Sequence, residues 1–96
     1  MRRSILNRAC VLAIFAAIIV AGCQRQPLPE AGTQAARFYV QRCGVCHAAY
    51  DPRAMTAAMW DAQVTAMEPR MAAAGKPLSA NDRKTILEYL TRNAEQ

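Results

Sequence analysis

The chain is short of the residues that conventional active sites and mixed folds are built from. Its 96 residues include a single histidine, His47, four glycines and only 6% aromatics. That length excludes a large multi-domain enzyme and leaves room for one small domain. No stretch alternates apolar and polar residues as a half-buried strand does, and there is no internal repeat or low-complexity tract. No lysine/arginine cluster interleaved with aromatics occurs, so the net charge of +5 is not that of a nucleic-acid surface. No general base, nucleophile or substrate pocket declares itself, which points away from an enzyme.

The basic charge is concentrated at the amino terminus. Arg2, Arg3 and Arg8 precede twelve apolar residues, 9–20, and then Ala21, Gly22 and Cys23. Twelve helical residues span about 18 Å, short of the ~30 Å hydrocarbon layer. The segment therefore reads as an export signal, residues 1–22, rather than a single-span anchor. Val20-Ala21-Gly22-Cys23 resembles the lipobox of bacterial lipoproteins, which implies lipidation of Cys23 and cleavage before it. The mature chain is then residues 23–96, with nine basic and seven acidic side chains and a charge of +2. Gln24, where an aspartate would retain the protein at the inner membrane, implies outer-membrane sorting.

Four cysteines in an exported chain ordinarily suggest two disulfides. Each has a different assignment here. Cys10 lies in the signal, Cys23 is the lipidation candidate, and Cys43-Gly44-Val45-Cys46-His47 is the spacing of c-type haem attachment. Two thiols add across the haem vinyl groups while the adjacent imidazole comes under the iron as proximal ligand. A thioredoxin-like pair needs a βαβ context that the flanks lack. A structural zinc site needs four ligands, and a plain disulfide leaves His47 unexplained.

Residues 23–32, with Pro27 and Pro29, read as a lipidated cysteine followed by a flexible tether, and residues 33–96 as the haem domain. Periodicity predicts a helix over residues 31–42. A second helix is expected from residue 54 to 67, where Trp60, Val64, Met67 and Met71 share one face, with Pro69 ending or kinking it. Ser79 is placed as the N-cap of a third helix, with Asp82 completing a capping box. Ile86, Leu87, Leu90 and Ala94 form its apolar side, with Tyr89 at the edge. The expected fold is all-α, three helices packed around a covalent haem that supplies much of the core.

This arrangement, over residues 31–94, resembles the small monohaem cytochromes c. The resemblance implies that Tyr39, four residues before the first haem cysteine, contacts the terminal helix near Ile86 and Leu90. The run Trp60-x3-Val64-x2-Met67 resembles a subgroup that includes cytochrome subunits of periplasmic oxidoreductases, and implies Met67 as distal iron ligand. Met71 is the alternative, with Met55, Met59 or an open site behind it. Tyr39 and Trp60 are expected to pack on the haem. His47 should donate its second ring N–H to a backbone carbonyl, with residues 50–52 as the nearest source. A thioether ligand favours Fe(II) and a high reduction potential. The implied role is one-electron transfer between a redox protein donor and acceptor at the periplasmic side of a membrane. Two alternatives stay open: an electron-accepting subunit of a larger dehydrogenase, and a gas-binding or sensing haem protein.

Overall fold

Thr33 opens the first helix of the domain because its hydroxyl accepts from the Ala36 N–H at 3.3 Å, satisfying one of the donors a helix start leaves free. In the computed structural model, which describes residues 2–22 and 26–96, this helix is the second of four. They are α1, Arg2–Gly22; α2, Gln34–Cys43; α3, Ala57–Ala73; and α4, Ala80–Arg92. A single 3-10 turn, Pro52–Ala54, leads into α3. The fold is all-α, and the described residues form no strand beyond one bridge between Thr56 and Glu95. Among the described residues no helix is long and apolar enough to cross a membrane. Cys23 and Gln24 lie outside the described residues.

The helix α4 is the hub, packing on both α2 and α3. Ile86, Tyr89 and Leu90 fall at i, i+3 and i+4 and are fully buried. They meet Ala36 and Tyr39 of α2 and Trp60 and Val64 of α3. Each such burial contributes about 1.5–3 kcal/mol. Tyr89 is thus a central residue and not an edge one, because its hydroxyl has a partner within reach: it donates to the Pro29 carbonyl at 2.9 Å. Ser79 caps α4 with Asp82 as its reciprocal partner, as the spacing predicts.

Two expectations about boundaries are corrected. The helix α2 starts at Gln34 rather than residue 31, since Glu30 and Gly32 both have positive φ, at 55° and 87°, and form a turn closed by Thr33 N–H to Glu30 O. The helix α3 starts at Ala57, capped by Thr56, and runs through Pro69 to Ala73 without ending at Met67. Proline removes one donor at a cost of ~3 kcal/mol, and a tertiary clamp offsets it. Arg83 of α4 holds Asp61 at 3.2 Å, Thr65 at 2.7 Å and Glu68 at 3.1 Å, fixing the turns that precede the proline. The helix ends instead in a Schellman turn, Lys76 N–H to Met71 O at 2.9 Å and Gly75 N–H to Ala72 O at 3.0 Å. Gly75 supplies the positive φ of 74° that this turn requires.

The segment read as a tether is docked from Pro27 onward. Leu28 packs against the core, Arg53 donates to the Pro27 carbonyl at 3.2 Å, and Arg92 grips the Glu30 carboxylate at 2.8 and 3.1 Å. Asn93 donates to the same carboxylate. Residues 27–32 are therefore a strap across α4.

Candidate haem site

The last residue of α2 is Cys43, and the chain then bends through residues 44–47, turning Cys46 and His47 outward to one side of a cleft. The face of α3 that carries Trp60, Val64, Met67 and Met71 lines the same cleft, with Leu78 and Leu90 among its apolar lining residues. The cleft measures about 460 Å³, within the ~300–1,000 Å³ of cofactor sites. Burial pushes the Cys43 thiol above its ordinary pKa, against the pull of Arg42.

His47 Nδ1 lies 2.9 Å from the carbonyl of Ala48. Donation there leaves Nε2 as the nitrogen with a free lone pair. The carbonyl acceptors expected at residues 50–52 are otherwise engaged. Tyr39 Oη donates to the Tyr50 carbonyl at 2.8 Å, and Trp60 Nε1 donates to the Pro52 carbonyl at 2.8 Å. The Tyr50 ring instead lies against the His47 ring, with centroids 5.2 Å apart.

Tyr39 and Trp60 are buried and meet edge to face at 6.5 Å. Tyr39 also contacts Tyr89 of α4, with ring centroids 5.3 Å apart. Burial raises the Tyr39 hydroxyl well above the usual phenol range, with nearby Cys43, Tyr89 and Asp51 adding to the shift. Both rings reach the cleft.

Of the four methionines weighed as iron ligands, Met67 and Met71 line the cleft. Met59 is exposed, and Met55 packs against the core beside the start of α3. Because α3 is continuous through Pro69, Met67 and Met71 stand one turn apart on the same face. Sequence reasoning missed Arg42, Arg70 and Lys76, which also border the cleft. Arg42 Nη2 donates to the Pro77 carbonyl at 2.7 Å and faces Asp82 at 3.3 Å, while its Nε is buried without a hydrogen-bond partner.

The residues fit a covalently attached haem. Two thiols, an imidazole with its Nε2 free and two thioether sulfurs border one cleft of largely apolar lining, and a buried guanidinium N–H beside it still lacks an acceptor. A family model described as dihaem cytochrome c matches residues 39–96, more than half of the chain. The chain belongs to the dihaem cytochrome c family. The matched span contains the cleft, α3 and α4, and begins at Tyr39. Comparisons with curated proteins and with solved structures give no match. As a c-type cytochrome it binds haem c covalently and works by haem-based electron transfer, as a carrier rather than an enzyme.

Proposed function

We propose that this cytochrome carries one haem, bonded to Cys43 and Cys46, with His47 as proximal and Met67 as distal iron ligand. It shuttles single electrons on the periplasmic side of a bacterial membrane, to which acyl chains on Cys23 anchor it. When bound, the haem supplies a one-electron couple at its iron. The chain supports this reading with a single observation: one cleft is bordered by Cys43, Cys46, His47 and Met67 together. The family's name refers to two haems, whereas this sequence has one Cys-x-x-Cys-His motif and one histidine, which favours one haem per chain. Ala48 orients the imidazole, Trp60 and Val64 exclude water from the α3 side, and Tyr39 ties the motif-bearing helix to α4.

Acid-acetone extraction followed by quantitation of haem per polypeptide tests the reading. Haem retained on the protein at one per chain is the expected result. Pigment in the organic phase, or two haems per chain, overturns it.

A further inference from the structure

Arg42, Arg70 and Lys76 rim the haem cleft, whereas Arg83 stands outside its lining and grips the helix that carries Met67 and Met71. From the first turn of α4 its Nη2 donates to the Asp61 carboxylate at 3.2 Å and to the Thr65 hydroxyl at 2.7 Å, and its Nε donates to the Glu68 carboxylate at 3.1 Å. The Thr65 hydroxyl in turn donates to the Asp61 carbonyl at 2.9 Å. Isolated surface ion pairs contribute little. One planar fork holding groups on successive helical turns, however, restricts rotation and bending of that helix together. The fork has a fixed base: the Arg83 N–H donates to the Ser79 carbonyl at 2.9 Å, and Ile86, one turn further along α4, is fully buried.

Asp61, Thr65 and Glu68 each follow by one residue the cleft-lining side chains Trp60, Val64 and Met67. Successive helical residues stand about 100° apart around the axis, so holding the first stripe against α4 sets which way the second one faces. Pro69 makes that hold necessary. It offers no N–H to the Thr65 carbonyl, and Met67 lies within the turn left without this bond. We propose that Arg83 is a positioning residue for the distal iron ligand: its clamp keeps α3 straight and turned so that Met67 fills the distal position and closes it to outside ligands. The inference rests on Met67 being that ligand. Access to the distal side decides between electron transfer and ligand binding at a haem, so the clamp holds this chain to the role of a carrier.

The test uses the full-length, haem-loaded protein in its ferric state, titrated with imidazole. One iron–sulfur bond breaks, one iron–nitrogen bond forms and no electron is transferred. Apparent affinity scales with the fraction of molecules in which the distal position is open. Arg83→Met should therefore bind imidazole about tenfold more tightly while keeping a low-spin spectrum in its absence. Glu68→Gln, which removes one of the three holds, should shift affinity in the same direction by a smaller factor. Hydrogen exchange should quicken at the amides of Met67, Glu68, Arg70 and Met71 in Arg83→Met. The control is Arg92→Met, which breaks the grip of α4 on Glu30 and leaves α3 alone; it should change imidazole affinity and α3 exchange by less than a factor of two.

Equal gains in affinity from Arg83→Met and Arg92→Met overturn the proposal, because the effect is then one of general destabilisation. Unchanged affinity in Arg83→Met overturns it as well. Should Arg83→Met not accumulate as a folded protein, Glu68→Gln and Thr65→Val carry the test, and wild-type affinity in both has the same consequence. A wild-type protein that is high-spin, or that stays low-spin after Met67→Ala, sinks Met67 as the ligand. A wild-type spectrum that depends on Met67, combined with imidazole affinity indifferent to Arg83, sinks only the clamp.

Discussion

Met67 and Met71 differ by one helical turn on a continuous face, so their distinction rests on what surrounds each. Met67 follows Trp60 and Val64 down the buried part of α3, while Met71 lies two residues past Pro69, where its carbonyl closes the helix end beside Lys76. The thioether on the turn next to buried Trp60 and Val64 is the better placed to exclude water and hold iron. Met67→Ala should therefore give high-spin iron and a lower reduction potential, and Met71→Ala should keep the low-spin spectrum. The reverse pair of spectra transfers the ligand to Met71. Tyr39→Phe is a second residue-scale case: it leaves the Tyr50 carbonyl without its 2.8 Å donor and should cost about 1 kcal/mol, or ~4–8 °C in Tm for a domain of this size. An unchanged thermal midpoint excludes that contribution. The haem motif is legible at this scale because its chemistry depends on residues within five positions of one another. The cationic rim is not, because Arg42 on α2 is brought to Lys76 only by tertiary packing.

The elements follow the same division between local and distant causes. The capping box of α4 joins residues three apart, Ser79 and Asp82, and sequence spacing is sufficient to predict it. The length of α3 depends instead on Arg83, which lies on α4 and clamps the turns before Pro69, so the proline alone gives the wrong end. The strap is hidden in the same way, since Tyr89 meets Pro29, and Arg92 meets Glu30, 60 and 62 residues apart in sequence. Hydrogen bonds from Arg92, and then from Asn93, hold the Glu30 carboxyl below its ordinary pKa of 4.5. A carboxyl depressed on folding contributes stability that is fully present above the unfolded value and is lost as pH falls through the lower folded value. The strap should thus be held at neutral pH and loosen below roughly pH 4.5. Glu30→Gln should remove that acid dependence, read as a flatter stability profile between pH 5 and 3, about the unfolded pKa of a glutamate. A wild-type slope in the variant assigns the acid sensitivity elsewhere.

For the whole molecule the strap changes where the domain begins. With Pro27 docked, only residues 24–26 separate the strap from Cys23, and fully extended they reach about 10 Å, so the acylation of Cys23 that we propose would hold the domain close to the bilayer rather than on a long leash. Cleavage at an inserted protease site between residues 24 and 26 should release a soluble, red domain whose thermal midpoint matches that of the intact protein. A chain shortened to begin at Thr33 should be released as well, but weakened. It loses the Leu28 packing, the acceptor of the Tyr89 hydroxyl and the Glu30 carboxylate that pairs with Arg92. Removing one half-buried leucine and one buried hydrogen bond together costs about 2 kcal/mol, and the exposed ion pair adds little. Denaturant melts of the two released forms decide the point: equal midpoints mean that residues 27–32 are a tether after all, and a lower midpoint for the shorter form makes them part of the folded domain.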